Sequence, residues 1–360
     1  MKFMSEILRE KISEQNESEK EKFYPIGSGK EGEPKETLPA IEVKNEVSWI
    51  NPRFPRLPFD LKEGKPTKLG LFLTPEKEPK KAYPLKILGE HYRSALLGQV
   101  IFQDGEGRLY RDIDLKGAGY IDEFGKGMGK VEPRGKKEAC GILDEPYVLS
   151  AIEMCEKFLK MGIRTERYLA IIQLKEIVNK NGKKITIKEA KERGMIPENI
   201  NPVLGLRAFG IKARIGNADP TTLEDARKMV AQELGIKNEE FPLENYFEWY
   251  VKIMGQNIGL MHKNKYYHNY LGGHNLTLDC RIVDLDSVCG FHFLKKEKKE
   301  KKIEEDYYYA LGYGLHYLYE KIESSSPKIK DFFHYKKLFK QAYVESLGYR
   351  PNFLNKENGD

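Results

Sequence analysis

Apolar residues recur at helical spacing through Phe247, Tyr250, Val251, Met254, Ile258 and Met261, and the pattern then breaks. This predicts an amphipathic helix running into a loop-rich stretch, His262 to Asp286, which reads HKNKYYHNYLGGHNLTLDCRIVDLD. Upstream the period is different. Tyr83–Leu88, Ala95–Phe102 and Arg108–Lys116 are short runs separated by turn residues and read as strands. In the third run Tyr110, Asp112, Asp114 and Lys116 share one face, while Leu109, Ile113 and Leu115 mostly share the other. Asp144 and Pro146 then mark a helix start, with Val148, Ile152, Cys155 and Leu159 as its apolar stripe. Residues 166–173 and Val203–Phe209 read as strands, with Ile211–Ile215 as a continuation of the second. Between them a charged insertion, 174–201, holds a short hairpin and a helix over Lys188–Arg193. Asp219-Pro220 opens a helix over Thr222–Leu234. The run Lys295–Lys302 (KKEKKEKK) reads as a solvated loop, Glu304–Ile322 and Ile329–Leu347 as two closing helices, and the last dozen residues as a frayed tail.

The order is strands, helix, strands, then helices, which is an α+β pattern. It predicts a protein-kinase-like bilobal fold with a β-rich N-lobe and a helical C-lobe. The expected divisions are an N-terminal extension over 1–80, an N-lobe over 81–216, a C-lobe over 217–350 that carries the metal and catalytic loop, and a tail over 351–360. Proline density across 23–80 rules out a regular helix there. That segment is expected to lie extended over the domain, pinned by Trp49, Phe54 and Phe59, while residues 1–22 either form a charged helix or stay disordered.

Composition narrows the function classes. The 360 residues are 40% apolar and 32% charged, which suits a globular chain with a real core rather than a disordered one. No apolar run approaches the roughly 18 residues that span a bilayer, and the first residues lack the apolar core of a secretory signal, so a cytoplasmic protein is expected. Cys140, Cys155, Cys280 and Cys289 form no C-x-x-C pair and show no zinc spacing with the seven histidines. A net charge of +6 admits anionic ligands without marking a nucleic-acid binder, and no aromatic-basic platform is visible.

The chemistry concentrates in the stretch after Met261. His268 and Asn275 lie seven apart, the spacing of the His and the metal-binding Asn in the H-R-D-x-x-x-x-N loop of protein kinases. Asp284 follows in a β-like run, where a kinase places its D-F-G aspartate. An amide oxygen and a carboxylate at the two ends of a tight hairpin suit Mg²⁺ on phosphates, because Mg²⁺ keeps several waters and needs few protein oxygens. Asp279 and Asp286 are weaker ligand candidates, since a hairpin aspartate is more often a turn-former. The kinase base position holds Tyr270, expected to pack. His274, just before Asn275, either takes a hydroxyl proton in the base's place or marks a lost activity. His268 is expected to hydrogen-bond the loop backbone. Tyr307, Tyr308, Tyr309 and Tyr313 are expected in the core or half buried.

Other motifs narrow the reading. They are Tyr92-Arg93-Ser94-Ala95-Leu96-Leu97-Gly98-Gln99, Asp114-Leu115-Lys116-Gly117-Ala118-Gly119, Gly162-Ile163-Arg164-Thr165-Glu166-Arg167, and Leu206-Arg207 through Arg214-Ile215-Gly216. With the His268–Asp284 block, they fall in the order of the selenoprotein O (SelO) family of pseudokinase adenylyltransferases, which the chain resembles over roughly 85–290. The resemblance implies a protein-kinase fold that binds ATP in a flipped orientation and transfers AMP to hydroxyls of target proteins, or of the protein itself. It implies that Lys116 contacts ATP phosphates and pairs with Glu156, for which Glu153 is a rival. It implies that Arg207 and Arg214 hold phosphates, that Arg93 touches the nucleotide, and that Asn275 and Asp284 hold Mg²⁺. The chain departs from the family at several points. His274 stands where the family has its acid-base aspartate, Asp284-Leu285-Asp286 replaces D-Y-G, Met128-Gly129 replaces an Asp-Gly, and the C-terminal redox residue has no counterpart. The alternatives are a phosphotransferase on the same scaffold and an inactive nucleotide-binding pseudokinase acting as a regulatory module. Lys116 and the two arginines also admit the plainer reading of surface cations beside turns.

Overall fold

The computed structural model describes residues 36–74, 79–88, 94–119, 131–133, 137–139, 141–179, 181–326 and 328–356. The expectations for residues 1–22, Arg93, Met128-Gly129 and Cys140, and for most of the Gly-rich loop at 120–143, lie outside them. The chain divides into two compact units, Met1–Leu149 with Arg167–Lys212, and Ser150–Glu166 with Ala213–Asp360.

The first unit is built on a nine-stranded sheet. In chain order its strands are β1 (Glu36–Glu42), β2 (Asn45–Ile50), β3 (Leu71–Leu73), β4 (Tyr83–Ile87), β5 (Ser94–Gln103) and β6 (Leu109–Lys116). After a small β7–β8 hairpin (Val131–Pro133 with Lys137–Ala139) come β9 (Leu143–Asp144), β10 (Arg167–Leu174) and β13 (Pro202–Phe209). The spatial order is β2-β10-β13-β6-β5-β4-β1-β3, with β9 added beside β13. β10 and β13 are buried almost throughout, which explains why their sequences are apolar runs without alternation. The hairpin expected in the charged insertion is β11 (Glu176–Val178) with β12 (Lys184–Thr186), followed by helix α2 at Ile187–Glu192.

The proline-rich 36–74 region supplies three strands to the sheet rather than a wrapped coil. β2 pairs with β10, and β1 pairs with both β3 and β4. Prolines there fall between strands or at positions whose N–H the ladder does not need. Phe54 and Phe59 are buried and Trp49 is half buried. β13 stops at Phe209, so Ile211–Ile215 does not extend it. Lys212 instead spends its backbone N–H on the Asp112 carboxylate at 2.6 Å, outside any ladder.

The second unit is helical. Helix α1 (Glu145–Lys160) begins in the first unit and runs into it. Asp144, expected to cap α1, precedes it in β9 and accepts the Asn201 N–H. Helix α3 (Pro220–Leu234) has the expected start: Asp219 caps it, taking the Thr222 N–H at 2.8 Å, with Pro220 in the first turn. Helix α4 (Leu243–Lys263) is the predicted amphipathic helix, and its predicted apolar stripe is buried.

Two glycines let α4 approach helix α7 (Phe332–Leu347) closely. A Cβ on Gly255 would sit 2.7 Å from the Phe339 carbonyl oxygen, and one on Gly259 would sit 2.5 Å from that of Tyr343. The obstacle in both cases is backbone, which cannot swing aside. Gly259→Ala is therefore expected to destabilise the fold by about 1–3 kcal/mol, despite alanine's better helix propensity. A lowered urea midpoint with unchanged slope would show it.

The charge run is not a loop. Helix α5 covers Lys296–Tyr309, and its Lys and Glu residues are strong helix formers that meet at helical spacing. Lys302 reaches Glu305 at 2.8 Å and Lys301 reaches it at 3.7 Å. The helix continues through a π-helical segment, Ala310–His316, into α6 (Tyr317–Glu323). Tyr307 is buried with Phe339, Tyr343 and Phe353 around it, whereas Tyr313 is exposed, its ring beside that of Tyr309. The tail is partly ordered by the same cluster: α8 (Phe353–Lys356) buries Phe353 and Leu354. Among the described residues no helix is long and apolar enough to cross a membrane.

Candidate active site

In the first unit the register of β6 with β13 sets Arg207 opposite Asp114 and Gly205 opposite Lys116. The Asp112, Asp114 and Lys116 face foreseen from alternation carries a buried charge cluster. The Asp114 carboxylate accepts two bonds from the Arg207 guanidinium, at 2.9 Å from Nε and 2.7 Å from Nη2, and one from the Lys212 ammonium at 2.7 Å. Ser94 Oγ donates to the same carboxylate and accepts from Arg207 and Lys212 at 2.9 and 2.8 Å. Burial alone would raise the Asp114 pKa. The Arg207 and Lys212 charges, and their hydrogen bonds, outweigh that and hold it well below the usual carboxylate range. Lys116, at the end of β6, is almost fully buried. So the Arg207 fork is committed to a carboxylate in its own sheet. The sequence reading assigns no role to Asp114 or Lys212; the available signal is the pair of acids, Asp112 and Asp114, on the same strand face as Lys116.

In the second unit the stretch after α4 folds as a compact set of turns. His268 is buried, its Nε2 2.8 Å from the Val283 carbonyl oxygen. The backbone N–H groups of His268 and Asn269 both go to the buried Asp306 carboxylate, at 2.6 and 2.8 Å. Two charge-assisted bonds fix the start of the loop to α5. Tyr270 does not pack. It is 54% exposed and contributes its carbonyl, which accepts from Asn275 Nδ2 at 2.9 Å. Gly272-Gly273 turns the chain under the π-helical segment, and the Gly273 N–H reaches the Tyr313 carbonyl at 2.8 Å. A larger residue at Gly273 would meet that oxygen.

The turn delivers Asn275, whose side chain is buried, with Oδ1 making no hydrogen bond. An acceptor in that state costs about 1–3 kcal/mol unless something outside the chain satisfies it. Asn275 is tied to the Asp284 segment through the Val283 N–H, which reaches the Asn275 carbonyl at 3.1 Å. Asp284 sits in the left-handed region, at φ 58° and ψ 51°, a conformation costly for a residue with a side chain but tolerated by aspartate. Its carboxylate is partly open to solvent and lies 3.3 Å from Arg214 Nη2. The other end of the Arg214 guanidinium donates to the His274 carbonyl. Arg214 thus joins the residue before Asn275 to Asp284 and leaves little guanidinium to spare.

The structure therefore brings Arg214, His274, Asn275 and Asp284 together within one unit, with the His274 side chain exposed. Lys116 and Arg207 belong to the other unit. Glu156 stands half buried on α1, and its rival Glu153 is taken by Lys157 at 2.6 Å. Asp279 is also committed, to Arg281 Nε at 2.5 Å and Thr277 Oγ1 at 2.5 Å, while Asp286 is exposed. Among the described residues no group of three or more His, Cys, Asp or Glu is placed to hold a metal. The oxygen pair available to a hard cation is the Asn275 amide and the Asp284 carboxylate, and a donor set of this kind fits Mg²⁺ carried on phosphates.

The order of parts is a lysine on a strand, a helix, a His-x₆-Asn loop held by a buried aspartate, and an aspartate after a short hairpin. The chain has an α+β fold, one unit built on an antiparallel sheet and the other helical. No family model matches it, and no curated protein matches it. Solved structures similar to it include WaaP in complex with acyl carrier protein, at TM-score 0.29 and 13% identity over 76% of this chain and 83% of that one. Another is a Toxoplasma gondii specific rhoptry antigen kinase domain, at TM-score 0.36 and 10% identity over 79% and 84%. Likeness at this depth says nothing of activity.

Proposed function

We propose that the chain is an ATP- and Mg²⁺-dependent transferase that modifies hydroxyl groups of proteins. The observation that carries this reading is the buried, unpartnered Asn275 Oδ1 next to the segment that presents the Asp284 carboxylate. Asn275 and Asp284 would hold Mg²⁺, which when bound supplies charge neutralisation on phosphate oxygens. Arg214 orders the two metal-binding segments relative to each other. His274, exposed beside Asn275, would take the proton of an incoming hydroxyl, a task that imidazole side chains often perform.

The motif resemblance to selenoprotein O favours AMP as the transferred group, by attack of the hydroxyl oxygen on the α-phosphorus with pyrophosphate leaving. The commitment of Arg207 to Asp114 favours the second reading, phosphoryl transfer with attack at the γ-phosphorus, because one of the two phosphate-holding arginines of the resemblance is otherwise engaged. Intact-mass analysis after incubation with ATP and Mg²⁺ separates them. A gain of one AMP is the expected result, a gain of one phosphate selects the second reading, and no gain on self or on added protein overturns both.

A further inference from the structure

The Asp284 carboxylate is useful only if its backbone stays in an unfavourable turn, and a buried group from the Gly162–Arg167 block bonds that backbone. The Asp284 N–H donates to Glu166 Oε1 at 2.9 Å. Glu166 is fully buried, and its segment runs alongside the residues that lead into Asp284. The Ile282 N–H reaches the Arg164 carbonyl at 3.0 Å, and Thr165 forms a parallel bridge with Ile282, its Oγ1 2.7 Å from the Ile282 carbonyl. Arg281 returns a bond to the Thr165 carbonyl at 3.2 Å.

That segment is itself anchored. The Arg164 fork meets the Glu233 carboxylate on α3 with two bonds of 2.8 Å, and its N–H meets Asn257 Oδ1 on α4 at 3.0 Å. A carboxylate buried at the end of such a ladder is costly unless it is paired or hydrogen-bonded. Here the carboxylate meets the backbone donor of a residue at φ 58°, where a non-glycine chain tends to relax.

We infer that Glu166 is a positioning residue of the metal site, whose buried carboxylate locks the Asp284 main chain in the left-handed turn that presents the Asp284 side chain beside the Asn275 segment. The inference rests on the metal-binding reading of Asn275 and Asp284 and adds to it a residue that acts through the Asp284 main chain. Groups that orient a metal ligand typically change affinity 10–100-fold when removed.

The test is Mn²⁺ binding to the full chain with α,β-methylene ATP, read as loss of the free-ion electron paramagnetic resonance signal, beside hydrogen exchange at the Asp284 amide. Glu166→Ala is expected to weaken Mn²⁺ binding about tenfold or more and to speed exchange at Asp284. Glu166→Gln, which keeps an acceptor oxygen in place, is expected to stay within about threefold of the native chain. Glu166→Asp keeps the charge but withdraws it by one methylene, and is expected to behave like the alanine variant, so the test stands even where Glu166→Ala does not fold. Native-like Mn²⁺ binding by Glu166→Asp, or by Glu166→Ala with faster Asp284 exchange, overturns the inference by leaving Glu166 a purely structural role. Absence of Mn²⁺ binding by the native chain overturns the metal reading and the inference with it, which distinguishes the two failures.

Discussion

Asp284→Asn is expected to reduce transfer from ATP by about a thousandfold while leaving the fold intact. The variant keeps the shape of the side chain, so the left-handed turn at φ 58° and the Glu166 bond to the Asp284 N–H both survive. It removes one negative charge from a pair of oxygen donors of which the other, on Asn275, is already neutral. A thousandfold loss corresponds to ~4 kcal/mol, the scale on which a metal ion stabilises charge on a transferring phosphate. Arg214 loses a charged partner at 3.3 Å but keeps the His274 carbonyl, so stability should change little. Labelled ATP with the isotope at the α or at the γ position gives the rate for each kind of transfer, and a melting curve reports the fold. Full transfer by Asp284→Asn would remove this residue from the metal site and the reading with it.

Asp114→Leu is expected to cost about 3–5 kcal/mol of stability, a large part of the ~5–15 kcal/mol that holds a typical domain. The Arg207 guanidinium and the Lys212 ammonium are both buried and both bonded to this one carboxylate. Without it, two cations remain in the sheet with Ser94 as their shared acceptor. The same pairing sets a pH dependence. The folded Asp114 pKa lies below its unfolded value, so folding releases its proton more readily. Its contribution is fully present above the ordinary aspartate value of about 4 and declines as pH falls below it toward the depressed folded value. Urea midpoints from pH 7 to pH 3 should fall at the acid end in the native chain and show a flatter acid limb in Asp114→Asn. Combining Asp114→Leu with Arg207→Leu and Lys212→Met removes all three charges and should recover much of the lost stability, because a buried ionic cluster is most costly when broken in part. A single Asp114→Leu variant as stable as the native chain would mean the cluster is solvated after all.

Much of this was legible in the residues because it depends on local pattern. The α4 stripe, the Asp219-Pro220 helix start and the alternation of Tyr110, Asp112, Asp114 and Lys116 are short-range signals, and each reappears in the fold. The spacing of His268, Asn275 and Asp284 was enough to point at one place in the chain. Lys295–Lys302 is solvated as expected, but its lysines pair with Glu305 at helical spacing and the run is helix rather than loop. What else escaped is set by distant partners. The prolines of 36–74 hid strands whose pairing partners lie elsewhere in the chain, β10 for β2 and β4 for β1. Arg207 looked like a phosphate ligand because its carboxylate partner is 93 residues away. Glu166 falls in the Gly162–Arg167 block, but its bond to the backbone N–H of Asp284 is one that no side-chain pattern reveals.

The π-helical segment Ala310–His316 makes the spacing of one helix part of the candidate site. The Tyr313 carbonyl is taken by the Gly273 N–H, and the Tyr317 N–H, its ordinary α-helical partner, goes to Gly314. A segment of this kind behaves as an α-helix with a residue to spare. Removing a single residue between Ala310 and His316 would let the segment close into a regular α-helix, keep Leu318 and Ile322 facing the interior, and return to the helix ladder the carbonyl on which the Gly272-Gly273 turn hangs. Most side-chain substitutions on the exposed side of this segment should therefore pass unnoticed, while an in-frame deletion of one codon should disable the loop that carries Asn275. Its reading frame, more than its residue identities, is what selection would guard there.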